Sequence, residues 1–428
     1  MTDRPRHFPA IFPATLAFCA ALIALGLLWE GPAAALRGLG VIVTGEGALL
    51  TDYFALAGPG AALVNSALVT LVSLLVLRAS VKTLNGSSLL VLGLMAGFSL
   101  FGQNIANLWP ILAGAFLYAK WRGEPFGKYA TAGLLGASLG PVVSYLWTRP
   151  APWAIPVALL VGVLIGALLP PLAAYTARLQ NGMNLYNLGF ACGLLALVGM
   201  PVLFALGGEP ATKSLWSTEY TTPLALGLGV LCTLLLLWGL CFAGQKPGKA
   251  WADFRSLCRD SGRAGCDFLQ SYGPAAVLVN TACVGLMGLA YILLIGGELN
   301  GPTLGAILTM MGFAACGKHP RSCLPIMGGV WLSTCLPVPS PTAPGSQIAA
   351  LFGTTLAPIA GCFGAPFGVL AGFLHGCVVL RTGAPVAGVN LYNNGFSGGL
   401  IATVLYPILT GIFGKYLKGR DIEDRYQK

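Results

Sequence analysis

The chain alternates between long apolar runs and short polar segments. Apolar runs occupy 12–29, 59–77, 153–174, 223–243 and 275–295. Each run is close to the roughly 20 residues that an α-helix needs to cross a bilayer. About fourteen hydrophobic segments can be distinguished in this way along the sequence. The pattern therefore predicts an all-α polytopic membrane protein.

Composition supports this prediction and narrows the choice of partners. Apolar residues make up 56% of the chain and charged residues 9%, whereas soluble domains carry about 25% charged residues. The 59 glycines and 29 prolines are spread through the apolar runs, which predicts close helix packing and interrupted helices. The net charge of +10 comes from basic residues at segment ends. It therefore indicates contact with membrane lipid and no nucleic acid partner.

The second half of the chain repeats the first. The stretch GPGAALVN at 58–65 recurs as GPAAVLVN at 273–280, and LNG at 84–86 recurs at 299–301. Matched glycines, asparagines and prolines continue through the rest of both halves. A duplication explains a register that is kept over this distance.

The duplication predicts five parts. We expect residues 1–54 to form a cytosolic tail, a leader span and an outer loop, and 55–207 to form a first repeat of about six hydrophobic segments. Residues 208–269 are expected to form a linker span and a basic cytosolic loop, 270–413 the second repeat, and 414–428 a cytosolic tail. Some segments are expected to be broken or re-entrant.

Basic residues predict that the two repeats have opposite orientations in the membrane. Lys and Arg cluster after every second segment, as at 78–82, 120–128 and 246–263, and such clusters stay in the cytoplasm. The first repeat then begins outside and the second begins inside. We expect both termini to be cytosolic and the membrane to be a bacterial inner membrane. Inverted repeats of this kind are typical of transporters, whose sites lie near the midplane.

A further basic cluster, Lys318, His319 and Arg321, occurs in the second repeat only. The equivalent positions of the first repeat are uncharged. Under the positive-inside rule this cluster is interpreted as a cytosolic anchor. A vestibule that attracts anions is the alternative.

Two nearly identical polar stretches interrupt the apolar pattern: NLYNLGF at 184–190, here the first motif, and NLYNNGF at 390–396, the second motif. Asn and Gly favour turns, so each motif predicts an unwound break that leads into a new helix. Backbone N–H groups freed by such a break must face protein or a water-filled cavity. The predicted solute-binding residues are Asn184, Tyr186, Asn187, Gly189 and Phe190 in the first motif and Asn390, Tyr392, Asn393, Asn394, Gly395 and Phe396 in the second. The alternative is that both motifs only cap helices at the membrane surface.

Three further residues complete the predicted site. Asn85 and Asn300 open the paired LNG segments, where they either cap re-entrant half-helices or form ordinary turns. His375 lies inside an apolar segment, and a titratable side chain there is a functional candidate by default. A packing role is the alternative for His375.

Several classes of function lack their signatures. All fourteen acidic residues fall in predicted loops, tails or segment ends, which disfavours classical proton coupling. Carbonyl and amide oxygens are plentiful, so Na⁺ binding stays open. The sequence contains no nucleotide-binding or metal-binding motif. We therefore expect no cofactor, no metal and no enzymatic activity.

The two-half layout resembles an uncharacterised family of bacterial polytopic membrane proteins, a domain-of-unknown-function group, over nearly the whole chain. A more distant similarity is to urea transporters, trimeric channels with two inverted halves. Their pore motif Leu-Tyr-x-x-Asn-Gly is similar to Leu185–Gly189 and Leu391–Gly395, with one residue fewer between Tyr and Gly. This second resemblance implies an inverted-repeat architecture and a small neutral amide as solute.

The sequence thus predicts a permease, a channel or uniporter that passes a small polar solute of the urea or amide type between inverted repeats. The protein is expected to form a homo-oligomer, either a dimer or a trimer. A sodium-coupled secondary transporter for a small organic solute or anion is the alternative. A membrane enzyme acting on lipids and a structural subunit are two further classes, which the duplicated polar motifs do not favour.

Overall fold

A computed structural model describes residues 9–47, 50–206, 214–337 and 340–413. Within these ranges the secondary structure is helical, apart from two isolated β-bridges. The first ten helices are α1 (Ile11–Glu30), α2 (Pro32–Thr44), α3 (Tyr53–Ala57), α4 (Pro59–Ser80), α5 (Gly86–Phe98), α6 (Trp109–Trp121), α7 (Ala130–Gly136), α8 (Gly140–Trp147), α9 (Ala154–Leu179) and α10 (Asn187–Ala205). The next ten are α11 (Thr221–Leu237), α12 (Pro247–Leu257), α13 (Phe268–Tyr272), α14 (Pro274–Leu294), α15 (Gly301–Phe313), α16 (Pro320–Ser333), α17 (Pro344–Phe352), α18 (Ala357–Phe363), α19 (Ala365–Thr382) and α20 (Asn393–Phe413).

The described residues contain ten helical segments that are long and apolar enough to cross a membrane. These are Ile11–Glu30, Pro59–Ser80, Ala130–Trp147, Ala154–Leu179, Asn187–Ala205, Thr221–Phe242, Pro274–Leu294, Pro344–Phe363, Ala365–Val386 and Asn393–Phe413. Five lie before residue 206 and five after residue 220. Because five is an odd number of crossings, the second half begins on the opposite side of the membrane from the first. The chain is therefore an all-α polytopic membrane protein with two inverted repeats, as predicted.

The remaining apolar segments form two helical hairpins. Hairpin 1 consists of α5 and α6 with the tip 99–108, and hairpin 2 consists of α15 and α16 with the tip 314–319. These helices have 13 or 14 residues, fewer than the roughly 20 that a full crossing needs. Each hairpin therefore enters the membrane and returns to the same side. This explains why the sequence shows more hydrophobic segments than spans.

The two halves are related by a local two-fold arrangement. Helices α5 and α15 pack side by side through glycines, and a Cβ on Gly93 would lie 2.7 Å from the Cα of Gly312. Asp52 accepts a hydrogen bond from the Gly301 N–H at 3.0 Å, and Asp267 accepts the equivalent bond from Gly86 at 3.2 Å. Reciprocal contacts of this kind are the mark of a two-fold axis. Helices α11–α20 repeat the order of helices α1–α10. The repeat therefore includes the leader helix α1 and the linker helix α11.

The bundle has two ends, which we name by their charge. The basic end carries the loops 120–128 and 246–263, together with Arg78, Lys82 and Arg178. The opposite end, the distal end, is tied together by an ion pair between Arg149 and Glu46. Hairpin 1 opens toward the basic end and hairpin 2 toward the distal end, because each begins at a helix that finishes there.

Two buried asparagines fasten the hairpin tips. Asn65 on α4 donates to the carbonyl oxygens of Ser99 and Gln103 at 2.7 and 3.0 Å. Asn280 on α14 donates at 2.8 Å to the carbonyl oxygens of Ala314 and Lys318. Each tip lacks regular helical bonds, so these amides satisfy backbone oxygens that would otherwise be unpaired inside the membrane.

Candidate functional site

The two motifs meet inside the bundle. Each lies at a break between two helices, α9 and α10 in the first half and α19 and α20 in the second. Gly182 and Gly388 have φ of 75° and 69°, a conformation that favours glycine and turns the chain before each motif. The backbone N–H of Leu185 donates to Thr355 at 2.9 Å, and that of Leu391 donates to Ser138 at 3.2 Å. Each break is therefore held by the interrupted helix of the opposite half.

Aromatic rings form the contact between the motifs. The rings of Tyr186 and Tyr392, here the tyrosine pair, have centroids 5.1 Å apart, and both residues are 1% exposed. Phe190 and Phe396 stack with centroids 5.8 Å apart. The described side chains therefore fill the space where the motifs meet.

Glycine is required on both sides of the tyrosine pair. A Cβ on Gly189 would lie 2.6 Å from the Tyr392 ring, and a Cβ on Gly395 would lie 2.8 Å from the Cβ of Tyr186. The repeated glycine of the motifs thus allows the close approach of two helices.

Hydrogen bonds satisfy the Asn184 side chain of the first motif. Asn184 donates to Gln180 and to the Gly395 carbonyl oxygen, both at 3.1 Å. Its amide oxygen accepts from the Tyr186 N–H and from the Thr355 hydroxyl. Asn187 is half-buried at the start of α10. Hydrogen bonds therefore hold the first break against the second half.

The second motif keeps polar atoms that have no partner. Asn390 accepts from the Tyr392 N–H, but its Nδ2 is unbonded. Asn393 donates to Val379, yet its Oδ1 is unbonded. Asn394 contacts His375 Nε2 at 3.1 Å through Oδ1, and both Asn394 Nδ2 and His375 Nδ1 are unbonded. Buried polar groups are nearly always paired, so such a concentration of unpaired atoms requires an explanation.

Two of these residues border a cavity of about 280 Å³ on the side of the distal end, here the distal cavity. Asn393 and Asn394 line it, although each is only 2% exposed. Its remaining lining residues belong to the α2–α3 connection, α17, the end of α19 and the α19–α20 connection: Leu50, Gly345, Ile348, Val379, Leu380, Gly383, Ala384 and Gly388. The cavity is thus lined by two residues that carry an unpaired acceptor, Asn393 Oδ1, and an unpaired donor, Asn394 Nδ2.

Lys318 corrects the interpretation of the basic cluster as a surface anchor. Its side chain lies at the tip of hairpin 2 and is 0% exposed. Its ammonium group donates to the hydroxyls of Tyr186 and Thr354, the latter at 2.6 Å. The nitrogen also lies 4.4 Å from the centroid of the Tyr186 ring. Lys318 therefore contacts the first motif directly, and it was missed as a site residue.

His319 and Arg321 separate in the structure. His319 is buried, caps α16 through Nδ1 and contacts the Asp260 carbonyl oxygen through Nε2 at 3.1 Å. Arg321 is exposed at the basic end. The anchor interpretation therefore fits Arg321 alone.

A second cavity, the basic cavity, opens on the basic end with a volume of about 440 Å³. Its lining residues are Cys258, Arg259, Asp260, Ser261, His319, Arg321, Ser322, Ala360, Gly361, Cys362, Gly364 and Ala365. His319 lines this cavity and precedes α16, while Lys318 reaches the tyrosine pair. The order basic cavity, Lys318, tyrosine pair and distal cavity thus runs through the bundle.

Two predicted site residues lie elsewhere. Asn85 and Asn300 form capping boxes with Ser88 and Thr303 at the starts of α5 and α15. Asn300 also donates to the Ser217 carbonyl oxygen at 3.1 Å. Their described hydrogen bonds fix the hairpin helices and do not include the motifs. Asn85 and Asn300 therefore cap helices, which was one of the two expectations for them.

The fold and the paired motifs define a class: a polytopic helical membrane protein with two similar, inverted halves and paired re-entrant hairpins. The model of a protein family of unknown function, DUF1576, matches residues 32–205 and 246–411. The chain belongs to this family. No curated protein and no solved structure matches it. The similarity to urea transporters and the bacterial origin stay predictions.

Proposed function

We propose that the protein is a permease that carries a small polar solute between the distal and basic cavities. The observation that carries this proposal is the meeting of two duplicated helix breaks at the tyrosine pair, with two residues of the second motif that carry unpaired polar atoms lining the distal cavity. Inverted-repeat transporters bind their solutes where broken helices of the two halves meet.

The unpaired atoms favour a solute that both donates and accepts hydrogen bonds. Asn393 Oδ1 can accept and Asn394 Nδ2 can donate, and both residues line the same cavity. A primary amide or a urea-like molecule offers the complementary pair of groups. Binding of such a solute would satisfy atoms whose burial otherwise costs about 1–3 kcal/mol each.

The packing at the centre favours a uniporter over an open channel. Tyr186 and Tyr392 are buried and in contact, so a solute in the distal cavity has no continuous passage to the basic cavity. Transport then requires that the tyrosine pair and the hairpin tips move. This is alternating access, the ordinary mechanism of inverted-repeat carriers.

Flux through proteoliposomes tests the proposal. The purified full chain should pass acetamide or urea faster than protein-free vesicles. Replacing both Asn393→Ala and Asn394→Ala should reduce this flux at least tenfold, because the donor and the acceptor are lost together. Gln270→Ala is the matched control, since it removes an exposed amide at the basic end. Equal flux in the double variant and the control would refute the assignment of the site.

Sodium coupling is the second candidate. Asn393 Oδ1 and Gln103 Oε1 are buried amide oxygens without a partner, and oxygen ligands suit Na⁺. The same vesicles with and without an inward Na⁺ gradient distinguish the two mechanisms. Accumulation of solute against its own gradient would favour coupling, and equilibration alone would favour the uniporter.

The cellular setting forms part of the proposal. We place the basic end in the cytosol of a bacterial inner membrane, with both termini on that side, because Lys and Arg concentrate there. Large apolar side chains on α9, such as Leu160, Leu164 and Leu168, are exposed and suit lipid or a second copy in a dimer or trimer. An enzymatic role is disfavoured because His375 and Lys318 contact different motifs.

A further inference from the structure

The charge of Lys318 is not balanced by any described residue. The ion pairs in the described part of the chain are Lys128 with Glu124 and Arg149 with Glu46. Lys318 instead contacts two hydroxyls and the rings of Tyr186 and Phe313, at 4.4 and 5.4 Å from its nitrogen. The neighbouring Cys323 is also buried. The amino group of Lys318 is thus removed from water among partners that supply no countercharge.

An unbalanced buried charge is costly, and such residues in membrane proteins mark ion or substrate sites. An ammonium group has three N–H donors, and two are used by Tyr186 and Thr354. The Tyr186 hydroxyl accepts one of these bonds and also hydrogen-bonds to the Thr354 side chain. The third N–H of Lys318 is therefore the donor that a ligand beside the tyrosine pair would use.

We propose that Lys318 binds a small monovalent anion, such as a carboxylate, in the transport path. This inference rests on the proposed function and assigns the chemical class of one ligand that the permease carries. The anion would supply the missing countercharge and accept a hydrogen bond from Lys318. Charge-assisted hydrogen bonds of this kind are roughly twice as strong as neutral ones.

The basic cavity gives the anion its route. Arg259 and Arg321 line it and are exposed. The starts of α16 and α19 also border it, at Ser322 and at Gly364 and Ala365. Helix N-termini and arginines both attract negative charge. His319 lines the same cavity and is the neighbour of Lys318 in sequence, so the route ends close to the proposed site.

The first repeat lacks this feature. Gln103 occupies the position equivalent to Lys318 at the tip of hairpin 1, and it is equally buried. The cation is therefore present in one half only, and it lies on the path between the tyrosine pair and the basic end. We expect the anion to be taken up or released on the basic side.

Acetate and acetamide provide the test, because they have nearly the same shape and differ in charge. In detergent, acetate should raise the thermal unfolding temperature of the full chain, and Lys318→Gln should weaken acetate binding about tenfold or more. Gln is the residue that the first repeat carries at this position, so the variant is expected to fold. Lys82→Gln removes an exposed positive charge at the basic end and serves as the matched control.

Flux separates this inference from the proposed function. In vesicles, Lys318→Gln should reduce acetate flux above the protein-free baseline, whereas the control Lys82→Gln should keep the wild-type flux. Acetamide flux without any acetate binding would overturn the anion site and leave the permease standing. Acetate binding that depends on Lys318, without flux of either solute, would overturn the permease and retain an anion site. Equal acetate binding in wild type and Lys318→Gln would refute the role of Lys318.

Discussion

At the scale of residues, the duplicated motifs combine a glycine that permits contact with a tyrosine that makes it. Gly189 faces the Tyr392 ring, and Gly395 faces Tyr186. The sequence predicted both glycines as site residues because they recur. It could not show that each serves the tyrosine of the other half, since that contact exists only once the halves have packed together.

Gly189→Ala is expected to destabilise the chain by about 1–3 kcal/mol, because the new methyl group overlaps the Tyr392 ring and overpacks the core. Solute flux should fall with it, since the tyrosine pair would be displaced. Thermal unfolding in detergent and flux in vesicles measure the two effects. Gly199→Ala on the same helix is the control, because a Cβ at that position meets nothing within 4 Å. If the two variants behaved alike, the glycine contact would be irrelevant.

The burial of Lys318 could not be predicted from the sequence. The positive-inside rule treats a basic cluster as one unit, but the cluster divides into a surface residue, Arg321, and a buried one, Lys318. The signal that was available is the alignment of Lys318 with Gln103, a polar residue inside the first repeat. Its contact with Tyr186 joins residues 132 positions apart, which no local pattern reveals.

At the scale of elements, hydropathy predicted the helices but not which of them cross the membrane. Helices α5 and α15 are as apolar as true spans, and α15 is buried in protein along its whole length while α5 is buried over most of it. Hydropathy responds to burial in lipid and burial in protein in the same way, so the hairpins were predicted only as segments that can be re-entrant. The capping boxes at Asn85 and Asn300 were the local evidence for short helices.

Hairpin 2 should depend on the amide that holds its tip. Asn280→Ala removes two hydrogen bonds and leaves the carbonyl oxygens of Ala314 and Lys318 without that donor. We expect a loss of about 1–3 kcal/mol in the free energy of unfolding. Thr281→Ala is the control, since Thr281 faces an apolar groove. Thermal unfolding of the two variants, measured side by side, tests this expectation. Equal stability would contradict the role of Asn280 in holding the tip of hairpin 2.

At the scale of the whole molecule, the two halves have related sequences but differ in the hydrogen bonding of their motifs. Asn184 bonds to Thr355 and to the Gly395 carbonyl oxygen, whereas its counterpart Asn390 leaves Nδ2 unbonded. The counterparts of those partners are Ser138 and Gly189, so Asn390 has equivalent groups available. In inverted-repeat proteins an exchange of the states of the two halves produces the opposite-facing conformation. We therefore expect a second state in which the first motif is open, toward the basic end.

Accessibility to a membrane-impermeant thiol reagent tests this exchange in a variant without the twelve native cysteines. Asn393→Cys should react from the distal side, because Asn393 lines the distal cavity. Asn187→Cys should react slowly from the basic side, and adding Lys318→Gln should accelerate it, since the bond from Lys318 to Tyr186 that holds the first break closed is lost. Ser340→Cys and Ser256→Cys, exposed at the distal and basic ends, report that each side is reached. If Lys318→Gln left the rate at Asn187→Cys unchanged while both exposed positions reacted, Lys318 would not hold the basic side shut, and exchange between the halves would need another cause.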